Sequence, residues 1–311
     1  MKYGIYFAYW EKYWGADQVK YIRKVKELGF DILEVSGALL KNNTRERLAE
    51  IGKMAKDEGI ILTCGYGPNA RENLGSSDPD VIRNAISMYT DILEKMEIMD
   101  IHTFGGGLYS YWPVDYSKPI DKEGDWARSV ENVRKVGTIA ENCGVLYCLE
   151  VLNRFEGYLI NTCEECVKFV DEVGVDSVKV MLDTFHMNIE EDDMCDAIRL
   201  ADSKLGHFHV GENNRKVPGK GKFPWKEIGS ALREIGYDRT VVMEPFVLMG
   251  GEVGSDIKVW RDVSKGATPE QLDADARDSV AFLREAFESA DFVTISISSA
   301  TMKQVKSPIP K

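Results

Sequence analysis

The 311-residue sequence predicts a (β/α)₈ barrel that forms one domain. Eight short β-rich segments alternate with longer amphipathic segments, and a new strand begins roughly every 27 to 45 residues, as expected for βα units. An open doubly wound sheet is the alternative arrangement, and the count of eight strands favours the barrel. Several helical segments end in the glycine typical of a helix C-terminus, directly before a strand: Gly29, Gly59, Gly144, Gly174 and Gly236.

The predicted strands follow one another along the whole chain. They begin at Gly4 (GIYFAY), Asp31 (DILEVS), Ile60 (IILTCG), Asp100 (DIHTFG), Val145 (VLYCLEV), Val178 (VKVMLD), Leu205 (LGHFHV) and Thr240 (TVVMEPF). Apolar residues spaced three and four apart identify the intervening helices, RERLAEIGKMAKDEG among them. The insertions after strands 3, 4 and 8 are rich in aromatic residues and glycines, which suits a lid over a small ligand.

The domain boundary is expected near residue 288. No Pro- or Ser-rich linker divides the chain, so residues 1–288 are predicted to form the barrel domain. Residues 289–311 do not continue the pattern of the last helix, and we expect a C-terminal tail to which the sequence assigns no structure.

Composition restricts the class of partner and the compartment. The formal net charge of −12 and the lack of a basic cluster argue against nucleic-acid binding, since phosphate recognition needs Lys and Arg. The N-terminal segment reads as a strand and not as a signal peptide, and no apolar segment reaches the ~18 residues of a membrane span. Six cysteines, several in apolar segments, are typical of free thiols in a reducing compartment. We therefore expect a cytoplasmic protein.

Two short motifs are not expected to be functional. Cys163 and Cys166 have CxxC spacing, but no second pair completes a zinc site, so both are predicted to be ordinary helix residues. Residues 65–70 (GYGPNA) match the dinucleotide fingerprint formally. A helix should begin within that motif, whereas the next helical pattern starts only near Asp78.

Four acid or imidazole residues stand among the last residues of four successive apolar strands. A charged group there is costly unless it is compensated, and the carboxyl ends of barrel strands are where active sites lie. One shared divalent metal would compensate all four, and the absence of a thiolate favours Mn²⁺, Mg²⁺ or Co²⁺ over structural zinc. Separate hydrogen bonds at loop starts are the alternative. The four residues are Glu150, Asp183, His209 and Glu244.

A second set of polar residues follows three to six positions beyond the first three of these. Glu156, His186 and Arg215 are predicted to lie higher in the loops, above the metal, where hydrogen-bond donors and acceptors suit a polyol. Surface salt bridges are the competing interpretation.

Aromatic side chains at strand ends and in loops provide a candidate apolar wall for a ligand. These are Tyr6, Trp14 and Trp112, with core packing as the alternative. The remaining two histidines, His102 and His207, are expected to be core or near-core residues instead of metal ligands.

At these residues the sequence resembles the ketose 3-epimerases, the family of D-tagatose 3-epimerase and D-psicose (D-allulose) 3-epimerase. The resemblance covers about residues 1–288 and rests on long segments: residues 150–156 (EVLNRFE), 180–193 (VMLDTFHMNIEEDD), 206–221 (GHFHVGENNRKVPGKG) and 242–246 (VMEPF). The resemblance implies a (β/α)₈ barrel, one divalent metal per subunit, Mn²⁺ before Co²⁺ or Mg²⁺, no nucleotide cofactor, and a homodimer or homotetramer.

The resemblance also implies residue roles. Glu150, Asp183, His209 and Glu244 match the metal ligands, and the two glutamates match the acid/base pair. Glu156, His186 and Arg215 match positions that bind the O1 to O3 end of the sugar. A wall of Tyr6, Trp14, Cys64 and Phe246 is expected to select at C4 to C6. Val210 departs from the Thr of the family motif, which puts fine specificity in question.

The resulting hypothesis is C3 epimerisation of free ketohexoses, of the D-fructose/D-psicose or D-tagatose/D-sorbose type, through a metal-stabilised enediolate. Aldose–ketose isomerisation on the same fold is one rival. Metal-dependent cleavage of damaged DNA, as in endonuclease IV-like barrels, is another, and four histidines with an acidic net charge argue against it. A sugar-binding protein without catalysis is the third, and the paired glutamates argue against that.

Overall fold

The computed structural model describes residues 1–289 and forms a closed barrel of eight parallel strands. Each strand pairs with the next in the chain, and β8 closes on β1 through the register Gly4↔Val242. The predicted (β/α)₈ barrel is therefore confirmed. The strands are β1 (Lys2–Tyr6), β2 (Ile32–Ser36), β3 (Ile61–Gly65), β4 (Thr103–Gly106), β5 (Leu146–Glu150), β6 (Val178–Asp183), β7 (Leu205–Val210) and β8 (Thr240–Met243).

The helices form a layer around this barrel and also supply short elements at its carboxyl end. They are α1 (Tyr21–Glu27), α2 (Gly37–Lys41), α3 (Arg45–Glu58), α4 (Pro79–Ile98), α5 (Lys122–Asn142), α6 (Cys163–Val173), α7 (Thr184–Glu190), α8 (Met194–Ala201), α9 (Trp225–Glu234), α10 (Gly251–Asp256) and α11 (Pro269–Glu288). Short 3₁₀ segments lie at Phe7–Trp10, Ala70–Glu72 and Asp202–Lys204. The extra helices α2 and α7 start directly after their strands, and α10 follows β8 after a loop, so all three lie around the expected active-site end.

The helices end at the glycines that the sequence predicted. The five glycines predicted at helix ends all have a positive φ, which side chains with a Cβ rarely adopt. At the other end, the Thr44 and Thr162 hydroxyls accept hydrogen bonds from backbone N–H groups in the first turns of α3 and α6. The threonine caps fix where these helices begin, and the glycines fix where helices end and so where the following strands enter the barrel.

The predictions about motifs outside the site are mostly confirmed. Cys163 and Cys166 are buried in α6, where their thiols donate to the carbonyl oxygens of Ala197 and Leu149. The GYGPNA segment leads into a short 3₁₀ segment at Ala70–Glu72, and the next α-helix, α4, begins only at Pro79 after the Asp78 cap. Among residues 1–289, no helix is both long and apolar enough to cross a membrane.

One histidine prediction is wrong. His207 is fully buried inside the barrel, as expected, but the His102 side chain is 65% exposed. His102 lies just before β4, where its ring is within hydrogen-bond distance of Asp100 and of the Gly144 carbonyl. The apolar residues Ile101 and Phe104 near His102 predicted a buried strand there. The predicted tail, apart from Ser289, lies outside the described residues.

Candidate active site

The carboxyl ends of β5 to β8 bring four predicted residues together. Glu150, Asp183 and His209 stand in the last positions of their strands, and Glu244 directly follows β8. One potential ligand atom from each of the four lies within 4.8 Å of the others. Because the strands are neighbours in the closed sheet, the two glutamates stand at the two ends of the row and flank Asp183 and His209.

Two buried atoms of this cluster have no hydrogen-bond partner within residues 1–289. The Oδ1 atom of Asp183 caps α7 by accepting from the N–H groups of Phe185 and His186, at 2.6 and 3.3 Å, which leaves Oδ2 without a partner. The Nδ1 atom of His209 is also unpartnered, 3.9 Å from Asp183 Oδ2 and 3.8 Å from Glu244 Oε2. Buried polar atoms normally have a partner, so two that face one another fit a cation between them.

The donor set fits a divalent cation of intermediate or hard character. Three carboxylates and one imidazole surround the space, and no cysteine belongs to the cluster. Oxygen ligands with one imidazole suit Mn²⁺, Mg²⁺ or Co²⁺ better than a structural zinc. A divalent metal site is therefore consistent with the geometry.

Glu34 is a buried residue of the site that the sequence analysis missed. It lies on β2, is fully buried, and accepts hydrogen bonds on both carboxylate oxygens. Its Oε1 lies 2.7 Å from His209 Nε2, and its Oε2 lies 2.9 Å from His207 Nε2 and 2.8 Å from the Thr63 hydroxyl. The signal was present in the sequence, since DILEVS places a glutamate inside an apolar strand and a buried charge needs compensation.

The electrostatics of the cluster favour positive charge between the carboxylates. Burial alone would raise the pKa of Glu34, but the nearby imidazoles of His209 and His207 hold it well below its usual range. Burial opposes the charged form of His209, yet Glu34 and Glu244 raise its pKa well above the ordinary value. Burial, and then the charge of Glu244, raises the pKa of Glu150 well above normal. A cation would relieve the repulsion between the Glu150 and Glu244 carboxylates, and it would replace a proton at His209.

The second predicted set also lies at this end of the barrel. Arg215 contacts Glu156 at 3.2 Å and Glu244 at 3.4 Å, and its guanidinium lies 3.8 Å from the centre of the Phe185 ring. Its backbone φ of +62° is uncommon for a residue with a Cβ, and such strain clusters at functional sites. The salt bridges that were the competing interpretation do exist, but they lie inside the site and not on the surface.

His186 is held in one tautomer beside Glu150. Its Nδ1 lies 3.2 Å from the backbone N–H of Asn153 and 2.7 Å from the Asn153 side-chain amide, so Nδ1 accepts hydrogen bonds there. The proton of a neutral ring is then on Nε2, which lies 3.7 Å from Glu150 Oε1. This ring can donate one hydrogen bond toward the space next to Glu150.

A cavity of about 300 Å³ opens above the cluster. That volume suits a small molecule. Four of the predicted wall residues line it, Tyr6, Trp14, Trp112 and Phe246, together with Glu150, Glu156, His186, His209, Arg215 and Glu244. The segments after β3, β4 and β8 all contribute to the wall.

Cys64 does not reach the cavity. It is fully buried in the hydrophobic core, and its register partner on β2 is Val35, whereas the inward-facing Glu34 pairs with Thr63. Because side chains alternate along a strand, Cys64 points from β3 toward the helix layer. Tyr66 and Asp256, which the sequence analysis did not select, line the cavity instead.

The chain matches the family model described as the xylose isomerase-like TIM barrel over residues 22–286. It is 58% identical over 288 residues to a D-psicose 3-epimerase of Ruminiclostridium cellulolyticum, covering 93% of this chain and 98% of the relative. It is 54% identical to a D-psicose 3-epimerase of Agrobacterium fabrum, covering 91% of this chain and 98% of the relative.

A solved structure agrees with this similarity. The crystal structure of a D-psicose 3-epimerase with D-tagatose, from Clostridium cellulolyticum H10, superposes with a TM-score of 0.92 and 58% sequence identity. The superposition covers 93% of this chain and 100% of that one.

Proposed function

Because the chain belongs to the ketose 3-epimerase family of xylose isomerase-like TIM barrels, we propose that it is an isomerase that inverts C3 of free ketohexoses. The single observation that carries this proposal is the row of ligand atoms at the ends of β5 to β8, with a glutamate at each end. The interconversions we propose are D-fructose with D-psicose and D-tagatose with D-sorbose.

A divalent cation held by these four side chains would polarise the C2 carbonyl, acidify the C3 proton and stabilise the negative charge that forms. Mn²⁺ is our first choice, with Co²⁺ or Mg²⁺ as alternatives, because the donor set is oxygen-rich with one imidazole. No nucleotide cofactor enters this reaction, since it needs no net oxidation.

Glu150 and Glu244 are the proposed acid/base pair. Inversion at one carbon requires that a proton leave one face of the planar enediolate and return to the other, so two groups on opposite sides are needed. The two glutamates flank the cluster from β5 and β8. Glu244 directs Oε2 toward Arg215 and His209, which makes Oε1 its candidate atom for proton transfer. Because the reaction is reversible, the residue that acts as the base in one direction acts as the acid in the other.

Arg215, His186 and Glu156 are proposed to orient the O1 to O3 end of the sugar. Arg215 and the Nε2–H group of His186 supply donors next to the two glutamates, and Glu156 supplies an acceptor paired with Arg215. The aromatic wall of Tyr6, Trp14, Trp112 and Phe246 is proposed to cover the C4 to C6 end and to exclude water.

Two further expectations remain predictions. Six free cysteines support a reducing compartment, and we propose the cytoplasm. A homodimer or homotetramer stays our expectation for the assembly.

The central experiment replaces each glutamate by Gln. Glu150→Gln and Glu244→Gln, assayed on D-fructose at saturating Mn²⁺, should each lose about 10²–10⁴-fold in kcat, because general acid/base groups contribute that much. Sugar binding, followed by calorimetry with the same metal, should persist. Near-normal turnover by both variants would refute the assignment.

Product analysis of the wild-type protein separates the reaction classes. Psicose formed from D-fructose supports the epimerase, and incorporation of one solvent deuterium at C3 supports proton exchange there. Glucose or mannose would indicate isomerisation between C1 and C2, and unchanged fructose would indicate a binding protein.

A further inference from the structure

Glu34 lies at the centre of a hydrogen-bonded chain beneath the proposed metal site. It is 0% exposed, and its two oxygens accept from three side chains: His209, His207 and Thr63. An ionised carboxylate only accepts hydrogen bonds, so each of these neighbours has to donate. A buried carboxylate with both oxygens satisfied has little freedom to rotate.

This arrangement decides the tautomer of His209. Because Nε2 donates to Glu34 Oε1 at 2.7 Å, the proton of a neutral ring lies on Nε2 and the lone pair lies on Nδ1. Nδ1 is the buried atom without a partner, and it faces Asp183 and Glu244. A ligating histidine held by a carboxylate at its other nitrogen is oriented by it and made more basic.

His207 extends the chain away from the cluster. Its Nε2 donates to Glu34 Oε2 at 2.9 Å, so Nδ1 of a neutral ring must accept, and the Thr240 hydroxyl lies 2.6 Å from it. Both ring nitrogens of His207 are therefore engaged in hydrogen bonds, one to Thr240 and the other to Glu34.

We propose that Glu34 is a positioning residue that keeps the Nδ1 atom of His209 aimed at the cation, with His207 and Thr240 fixing Glu34 in turn. This inference rests on the cation site of the proposed function. It adds a residue from β2, on the far side of the barrel from β6, to a centre whose ligands come from β5 to β8.

The test measures metal affinity and not turnover. Apo-protein is titrated with Mn²⁺, and free Mn²⁺ is followed by electron paramagnetic resonance. Glu34→Gln should weaken Mn²⁺ binding about 10–100-fold, which is the usual effect of removing such a partner. In one orientation of the new amide, its carbonyl oxygen still accepts from His209 Nε2 but carries no negative charge. In the other orientation, its NH₂ group faces Nε2, which must then accept, so the proton of the ring moves to Nδ1 and blocks the metal.

Two controls separate positioning from general damage. Thr63→Val removes only one of the two donors to Oε2, the oxygen that does not face His209, and should weaken Mn²⁺ binding less than Glu34→Gln does because His207 still holds that oxygen. Glu72→Gln removes another buried carboxylate, distant in sequence from the four proposed ligands, and should lower stability without weakening Mn²⁺ binding. If Glu34→Gln binds Mn²⁺ as the wild type does, or if Glu72→Gln weakens Mn²⁺ binding as much as Glu34→Gln, Glu34 has no such role.

A spectroscopic readout tests the tautomer directly. Nitrogen-15 NMR of labelled histidines in Zn²⁺- or Mg²⁺-loaded wild type should show His209 protonated at Nε2, and Glu34→Gln should change that signal. An Nδ1-protonated His209 in the loaded wild type would overturn the inference. A wild-type protein that binds no divalent metal would instead overturn the proposed cation site, so the two failures are distinguishable.

Discussion

At the residue scale, the site is explained by the cost of burying charge. Glu150, Asp183 and His209 are each nine-tenths or more buried, and Glu244 lies beside them. Such residues are tolerated when something compensates them, and the same argument applied to β2 would have found Glu34. Arg215 could not be placed by that argument, because its position depends on a strained loop backbone and on contacts with two other loops.

The first prediction concerns Arg215. Its guanidinium contacts Glu156 and Glu244 with different nitrogens and stacks on Phe185, which a lysine ammonium cannot do at once. Arg215→Lys should therefore raise KM for the ketose and lower kcat/KM by about 10–100-fold, or roughly 1.4–2.7 kcal/mol. Steady-state kinetics on D-fructose measures it.

The matched control for this substitution is Arg199→Lys. Arg199 lies on the surface of α8, where it pairs with Asp196 and Glu234. Exposed pairs contribute little, so its kinetics should equal those of the wild type. Equal kinetics for both variants would remove Arg215 from substrate binding.

At the element scale, the carboxyl ends of the strands matter more than their interiors. Asp183 ends β6, caps α7 with one oxygen and offers the other to the cluster, so one residue sets both the helix direction and a ligand position. Another buried carboxylate, Glu72, ties the segment after β3 to α2. It accepts from the Tyr66 hydroxyl at 2.7 Å and from the Asn69 N–H at 3.0 Å, and it pairs with Lys41.

The second prediction is a pH-dependent contribution of Glu72 to stability. Burial would raise the pKa of Glu72, but Lys41 and Tyr66 lower it from 4.5. A lowered folded-state pKa stabilises the protein above the unfolded value, and this stabilisation is lost as the pH falls through the folded value. Glu72→Gln should lose about 2 kcal/mol at pH 7, a fall in Tm on the order of 3–6 °C.

Thermal melts of both proteins from pH 7 down to about pH 3 measure this effect, because the loss begins near the unfolded pKa and continues below it. The difference in Tm between wild type and Glu72→Gln should shrink as the medium becomes more acidic. A Tm difference that stays constant over this range would show that Glu72 stabilises the protein through packing and not through its charge.

At the scale of the whole molecule, closure of the barrel makes the site. The order β1 to β8 with β8 paired to β1 brings β2 and β7 across the interior, so that Glu34 meets His209 although 175 residues separate them. The last helix completes the outer layer, where Phe287 of α11 contacts the Tyr3 ring at 6.5 Å between centroids.

The third prediction concerns the proposed domain boundary. The last helix, α11, ends at Glu288, and the similar proteins are matched over 98–100% of their own length by 91–93% of this chain. A chain that ends at Ser289 should therefore keep the Tm and the epimerase kinetics of the full chain. Differential scanning calorimetry and the fructose assay test it, and a Tm lower by several degrees would move the boundary into the last 22 residues.

The barrel could be predicted from the chain alone, because alternating strands and amphipathic helices with glycine ends are local patterns. The sequence also selected the four clustered residues, since charge at the end of an apolar strand is visible without coordinates. Three other points became clear only from the folded arrangement. The His102 side chain is exposed, Cys64 points away from the cavity, and Glu34 is hydrogen-bonded to His209. Each depends on which face of a strand points inward and on which strands meet across the barrel, and contacts between distant residues carry no local signature in the chain.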